Sequence, residues 1–561
     1  MDNELNTTPK KINIWLPLLF SVVLVAGMYI GTKMQDNPPT VASINVPKKE
    51  DLPPSTMGQG KLEELIRYIE ARYVDDVNKD ELVKEAIDNI LFQLDPHSSY
   101  ISAEQLKEVN DQLEGHFDGI GIEFIVVDDT VMIVKTLAGG PSEKAGLLPG
   151  DKIVEIEDSL TVGDNIDYEG VLSKLKGTKG SKVKVGVRRH NETETFRFTI
   201  TRDKIPVKSV EVAYMLDDKT GIIKINRFTA NTYQEFMESL EKLVDKNKMQ
   251  HLLIDLRDNP GGYLQEATNI LSQLFSEKDK LLVYTEGVNV SRSEYKTTGR
   301  NFYDIKNIAI LVDEGSASAS EILAGAIQDW DRGVIVGRRT FGKGLVQEQY
   351  RLRDGSAIRL TVARYFTPSG RCIQKPYESK DAYEEDLADR TLNGELYGKH
   401  DFEINDTTKY FTGAGRTVYG GGGIIPDVFL PLDSNLLRAD YITLRQYVQP
   451  FAFRYLEKHR QDWKDKELAA FVKEFSTDDG TIKDFYAYAD SQAKAKQPRL
   501  NKRMDMEMRK YIKATIAHQL WSETGYFMVM NSEDPVVQKA LELMAIEDPL
   551  SLKKIVENVR K

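Results

Sequence analysis

Apolar residues at Leu62, Leu65, Ile66 and Ile69, and again at Leu82, Ala86, Ile87 and Ile90, recur at helical spacing. The stretch before Asp95-Pro96 therefore predicts amphipathic helices. From about Gly115 the period changes to two. GIGIEFIVV, VMIVKTL, DKIVEIED, SKVKVGVRR and ETFRFTITR, divided by Gly, Asp and Asn, predict short strands in a compact module of ~90 residues, with one helix at YEGVLSKLKG. Beyond Ile205, buried-strand runs alternate with amphipathic helices: HLLIDL precedes YLQEATNILSQLF, and NIAILVD precedes EILAGAIQDW. That is the βα order of a layered sheet. After Leu437 the pattern is helical and highly charged, in LRQYVQPFAFRYLEKHR and NKRMDMEMRKYIKATIAHQLW, and it carries no legible chemistry.

The N-terminus follows another rule. Ile12 to Thr32 is uncharged, and at about 1.5 Å per residue it is long enough to cross a bilayer. Lys10 and Lys11 precede it and Lys33 closes it. With neither a small-x-small cleavage site nor a lipobox cysteine in view, it reads as a retained signal anchor. The positive-inside rule then puts the tail in the cytoplasm and the bulk of the chain in the periplasm. The expected organisation is a cytoplasmic tail (1–11), a transmembrane signal anchor (12–32), a linker (33–59) and a helical region (60–114). A β module (115–204), an α/β core (205–436) with an insertion (375–422), and a C-terminal helical region (437–561) complete it.

Composition narrows the partners. The net charge of −12 over 561 residues, with both signs mixed along the chain, offers no broad positive surface for nucleic acid. Cys372 is the single cysteine, which excludes an intramolecular disulfide framework and a cysteine-based zinc cluster; it reads as a small buried residue.

The candidate chemistry begins at GSASASEI, residues 315–322. Strand, loop and helix place its serines at a helix N-terminus, where free amides and the positive end of the dipole stabilise negative charge. Ser318-x-x-Glu321 equally fits a capping box. None of the seven histidines, His97, His116, His190, His251, His400, His459 and His518, sits in a convincing catalytic loop. A lysine can replace histidine as base if burial lowers its pKa. Lys343, between Gly342 and Gly344 in TFGKGLVQEQ, is the candidate, and in an extended segment Gln347 shares its face. Gly337 to Lys343 also fits G-x-x-x-x-G-K, but Gly344 stands where a phosphate loop needs Ser or Thr, and LVQEQYRL alternates like a strand. In the β module, Gly119, Ile120, Gly121 and Ile122 resemble the carboxylate-binding loop of PDZ domains, whose amides receive a peptide's C-terminus while the adjoining strand edge adds the peptide as a strand.

Together, LRDNPGGYL, GSASASEILAGAIQD, GRRTFGKGLVQ, FTPSGRCIQ and GIIPDV, with LDPHSSYI upstream, resemble the carboxyl-terminal processing (tail-specific) proteases of peptidase family S41, in a Bacteroidetes-type member. The resemblance covers about Leu62 to Leu432. It implies a crotonase/ClpP-like layered α/β protease core beside the PDZ-like module and the helical ends, with Ser318 as nucleophile, Lys343 as base and Gln347 as its support. It also implies an oxyanion site at Ala319 with Gly261 or Gly262, and no metal or cofactor. The expected partners are proteins or peptides with free apolar C-termini and the inner membrane, with a second copy and an adaptor protein left open. A catalytically inactive PDZ scaffold is the alternative. Cys372 replaces the commoner serine of its motif, and the 375–422 insertion is where many members are short.

Overall fold

A computed structural model describes residues 59–546, apart from 128–129, 161–167, 190–191, 193, 379, 400–401, 403, 405 and 464–465. The expected anchor at 12–32 lies outside the described residues. Among the described residues, no helix is long and apolar enough to cross a membrane. The chain divides into two compact units, 1–83 and 84–561. In the first, helix Gln59–Arg72 leaves Leu62, Leu65 and Tyr68 exposed.

The second unit is built on a six-stranded sheet in the order Val210–Met215, Thr220–Ile225, His251–Asp255, Asn307–Val312, Val334–Gly337, Val428–Phe429. The first pair is antiparallel and the rest run parallel. Its inner strands are apolar on both faces because both are covered. Leu252, Ile254, Ile308, Ile310 and Val312 face the core that includes helices Leu264–Leu274 and Ala319–Asp329. Leu253, Ala309 and Leu311 point the other way, onto Val536, Val537, Ala540 and Leu543 of helix Pro535–Met544. The second face of the protease sheet is thus closed by the far end of the chain. A second sheet runs Ser99–Ile101, Ala357–Phe366, Lys278–Gly287, Val290–Thr298, with Leu345–Arg351 paired to Ala357–Phe366.

The β module is a separate sheet in the order Ile122–Val127, Thr130–Thr136, Lys152–Ile156, Lys182–Arg188, Thr195–Thr201. It encloses its own core around Ile133, Ile153, Val185 and Leu147. Chain entry and exit pair as a ribbon, His116–Gly119 with Asp203–Pro206. Within the insertion, helix Lys380–Leu392 is followed by the hairpin Asp406–Phe411 and Thr417–Gly420.

The C-terminal helices have a core of their own, with Phe451, Phe471, Phe485, Met508 and Ile512 buried. Phe453 of helix Val448–Trp463 packs on Ile125 and Met132 of the β module. Phe471 is fully buried among the rings of Trp463, Phe475 and Trp521, at 4.7 to 5.0 Å between centroids. Phe471→Ala is expected to cost about 3–5 kcal/mol, read as an earlier transition of the C-terminal helices in urea unfolding.

Candidate active site

The loop bearing the three serines follows strand Asn307–Val312 in the middle of the parallel sheet, where open α/β sheets place ligands. Two of the three hydroxyls are spent on holding the loop. Buried Ser316 Oγ donates to the Leu256 carbonyl at 2.8 Å and accepts the Asp313 amide at 3.0 Å. Buried Ser320 Oγ donates to the Asn259 carbonyl at 3.0 Å. Ser318 is the partly exposed one, and its backbone is held at φ 54°, ψ −112°. This conformation is costly for a residue with a Cβ and must be over-determined by its surroundings.

Gly261 and Glu321 supply that constraint. Gly261, at φ 95°, packs so closely on the serine turn that a Cβ there would lie 2.7 Å from Ser318 Cβ and 2.9 Å from the Ala319 amide nitrogen. Gly262, at φ 143°, would place a Cβ 2.0 Å from the Phe228 carbonyl oxygen. The Gly261 amide donates to Asn259 Oδ1 at 2.8 Å. Glu321 is fully buried, and its Oε2 accepts the amide of Ser318 (2.9 Å) and the amide of Lys343 (2.8 Å). Its Oε1 accepts the Thr340 hydroxyl (2.6 Å) and the Gly342 amide (2.8 Å). The Glu321 amide itself donates to the Ser318 carbonyl at 2.9 Å. The carboxylate half of the capping box is therefore present, and it also ties the serine turn to the lysine loop. Burial pushes the Glu321 carboxyl up to about 7, against the downward pull of these hydrogen bonds. Tyr365, fully buried, adds a second tie: its hydroxyl lies 3.1 Å from the Ser318 carbonyl and in close contact with the Lys343 carbonyl.

Lys343 stands just before strand Leu345–Arg351, half-buried. Burial, then the Arg359 charge, lowers its ammonium pKa below the ordinary 10.5. Its Nζ donates to Gln347 Oε1 at 3.0 Å, and Gln347 Nε2 donates to the His97 carbonyl at 2.6 Å. Gly261 thus packs on the serine turn, Glu321 joins the Ser318 and Lys343 amides, and Gln347 is joined to the Lys343 side chain. Sequence reasoning gave Glu321 only a capping role, passed over Tyr365, and weighed His97 as a base without linking it to Gln347. The spacing Ser318-x-x-Glu321 was the one available signal, and it carried no hint that the carboxylate also receives the lysine loop. Cys372 is half-buried, and burial raises its thiol pKa.

The PDZ-like loop lies apart from this cluster, at the start of the β module. Gly121 takes φ 71° and its carbonyl accepts the Leu137 amide at 3.0 Å. Buried Ile120 offers its carbonyl to the Ser142 amide (3.1 Å) and hydroxyl (2.7 Å). Both carbonyls are therefore pinned inward. Strand Ile122–Val127 is terminal in its sheet, and Phe124 meets Tyr168 of helix Tyr168–Leu175 at 5.0 Å between ring centroids. A terminal strand beside a helix is the geometry that accepts a peptide as an added strand.

A mostly parallel α/β sheet thus carries a strained serine turn joined through Glu321 to the loop of Lys343. A β module with a terminal strand beside a helix completes the frame of a serine-type peptidase with a peptide-binding domain, the class to which comparison with known proteins assigns the chain. The profile of Peptidase family S41 matches residues 219–382, that of the PDZ domain 119–200, and that of the activating protease CtpB N-terminal domain 21–105. A family of unknown function matches 440–522. The chain is 34% identical over 357 residues to the carboxy-terminal processing protease CtpB of Bacillus subtilis (strain 168), covering 62% of this chain and 72% of that one. It is 35% identical over 320 residues to the probable CtpA-like serine protease of Staphylococcus aureus (strain MRSA252), covering 56% of this chain and 62% of that one. Among solved structures, the photosystem II D1 C-terminal processing protease is 28% identical, with 56% of this chain and 90% of that chain covered and a TM-score of 0.33. The chain belongs to the S41 carboxy-terminal processing proteases, with a PDZ domain.

Glu321→Gln turns two acceptors into one acceptor and one donor, stranding amides that now converge on the carboxylate; each stranded group costs about 1–3 kcal/mol. Turnover of a tail peptide should fall about 10- to 100-fold. The pH dependence has a defined sign, because a carboxyl raised from 4.5 to about 7 on folding contributes stability that is full below about 4.5 and is lost as pH rises through about 7. Thermal melts from pH 5 to 8 should show the wild type losing stability relative to Glu321→Gln over that window.

Proposed function

We propose that this protein is a membrane-anchored periplasmic endopeptidase that captures the free, apolar C-terminus of a protein in its PDZ domain and cleaves the chain with a Ser318–Lys343 dyad. The observation that carries the dyad is the Glu321 carboxylate, whose single oxygen Oε2 accepts the amides of both residues. A base that must take a proton from a hydroxyl needs a fixed place and a lowered pKa, and Lys343 has the burial and the Gln347 hydrogen bond that supply them.

In this reading neutral Lys343 accepts the Ser318 hydroxyl proton as Oγ attacks the scissile carbonyl carbon. The tetrahedral oxyanion is held by the amide of Ala319 and that of Gly262, since the Gly261 amide is already committed to Asn259; each such donor contributes about 3 kcal/mol. As the intermediate collapses, the C–N bond breaks and the ammonium of Lys343 protonates the leaving amine. Water then gives a proton to Lys343 and attacks the acyl ester, and Ser318 regains its proton as the acid product leaves. The Gly119, Ile120, Gly121 and Ile122 loop would receive the substrate carboxylate, and the edge of strand Ile122–Val127 its backbone. The uncharged stretch 12–32, flanked by Lys10, Lys11 and Lys33, supports anchoring in the inner membrane with the catalytic body outside the cytoplasm.

Incubating the detergent-solubilised full chain with an unfolded protein that ends in apolar residues tests this. Ser318→Ala and Lys343→Ala should each lower turnover by about 10⁴-fold or more, and C-terminal amidation of the substrate should raise KM sharply. Cleavage surviving in Ser318→Ala would refute the nucleophile, and equal cleavage of the amidated substrate would refute tail capture. Turnover should also rise with pH to a plateau whose midpoint lies below 10.5, the ordinary lysine value, because only the neutral amine is a base.

A further inference from the structure

The insertion at 375–422 has no part in the chemistry above, yet its helix Lys380–Leu392 meets the lysine loop through Tyr383 on Phe341 and Arg390 on the Arg339 and Thr340 carbonyls. We propose that this insertion is a positioning element for the catalytic base, with Tyr383 and Arg390 as positioning residues that set where Lys343 Nζ stands. The proposal rests on the Ser-Lys reading of the site.

Lys343 has a glycine on either side, Gly342 at φ 89° and Gly344, so its own backbone does little to fix it. Glu321 and Tyr365 hold its backbone amide and carbonyl, and further restraint arrives along two routes from the insertion. The first runs from the His97 ring to its backbone carbonyl and on to Gln347. Tyr383, 7% exposed, has its hydroxyl 2.5 Å from His97 Nε2. The His97 carbonyl accepts Gln347 Nε2 at 2.6 Å, and Gln347 Oε1 accepts Lys343 Nζ at 3.0 Å. Burial, then the positive charge of Lys343, push the His97 imidazole down to about 4, and burial raises the Tyr383 phenol. At neutral pH the phenol therefore keeps its proton and can donate it to a neutral imidazole.

The second route grips the loop backbone. Arg390 donates to the carbonyls of Arg339 (2.7 Å) and Thr340 (3.3 Å), and its guanidinium shares Glu395 with that of Arg339. The Lys375 amide donates to the Gly342 carbonyl at 2.9 Å. Lys375 Nζ lies 4.3 Å over the Phe341 ring and 4.1 Å over the Tyr383 ring, with Asp386 at 3.0 Å. Loop carbonyls at 339, 340 and 342 are thus all held by this segment. Buried ion pairs of this kind add little stability once desolvation is counted, but they permit one arrangement of the groups they bind. A segment that merely filled space would not need to bring two buried cations, Lys375 and Arg390, to one loop.

The test is a double-mutant cycle on the full chain. Tyr383→Phe keeps the ring contacts and removes only the hydroxyl. It is expected to lower kcat about 10-fold with KM within twofold and with melting temperature unchanged. In a Gln347→Ala background the same substitution should cause no further loss, because the route it acts through is already cut. A kcat within twofold of wild type, or a loss that simply multiplies with that of Gln347→Ala, would overturn the proposal. Should Tyr383→Phe lose its near-UV circular dichroism, the same cycle is run with Arg390→Lys against Gly342→Ala, again reading kcat and the coupling between the two. Lys343→Ala and Ser318→Ala run alongside: if both are inactive while Tyr383→Phe is fully active, the brace falls and the dyad stands; if Lys343→Ala is active, both fall.

Discussion

One buried carboxylate holds the site together. Glu321 reaches back from the first turn of its helix to the Ser318 amide and outward to the Lys343 amide, the Gly342 amide and the Thr340 hydroxyl. An acid so deeply buried is expensive unless its lone pairs are filled, and here every donor aimed at it comes from one of the two segments that must meet. The same contacts over-determine the left-handed backbone of Ser318, which no local preference would select. The reactive turn is held in place by electrostatics and close packing acting together, with Gly261 on one side and Tyr365 on another.

The layers around this point keep it fixed. The serine loop leaves the middle strand of a sheet covered on both faces, so its base cannot shift without opening a core. One cover, helix Pro535–Met544, arrives more than 200 residues after the serine in sequence and packs on Leu253, Ala309 and Leu311. The C-terminal helices therefore take part in the protease body, and through Phe453 they also touch the outer side of the PDZ sheet. Lys135 of that sheet reaches Ser522 at 2.8 Å, where the long helix Lys502–Asn531 breaks its helical geometry at Trp521 and Ser522. The PDZ domain is thus held at its ribbon and against these helices.

Much of the architecture was legible because hydrophobic period and turn chemistry are local. The alternation in VMIVKTL and SKVKVGVRR corresponds to strands Thr130–Thr136 and Lys182–Arg188, and EILAGAIQDW to the body of helix Ala319–Asp329. LVQEQYRL, whose alternation argued against a phosphate loop, is strand Leu345–Arg351. LRQYVQPFAFRYLEKHR, read as one helical stretch, divides into Ala439–Arg445 and Val448–Trp463. The charged C-terminal pattern concealed the covering helix, since its apolar stripe looks the same whether it lines a core of its own or closes a distant sheet. Tyr383 and Tyr365 were invisible for a similar reason, and His97, though weighed as a base and quoted within LDPHSSYI, showed no link to Gln347: each acts on residues far along the chain, and a lone aromatic or histidine carries no period.

Sequence alone determined the types of the main elements, because strand and helix periods depend on near neighbours, and its motifs carried the resemblance to the family. It also offered the serine and the lysine as candidates. Only the tertiary structure decided that a single glutamate joins their two loops, that Gly261 leaves no room for a side chain beside Ser318, and that the insertion grips the lysine loop from outside. Those are contacts between segments tens to hundreds of residues apart, and their energies come from burial and hydrogen bonding in a packed interior, which no local pattern encodes.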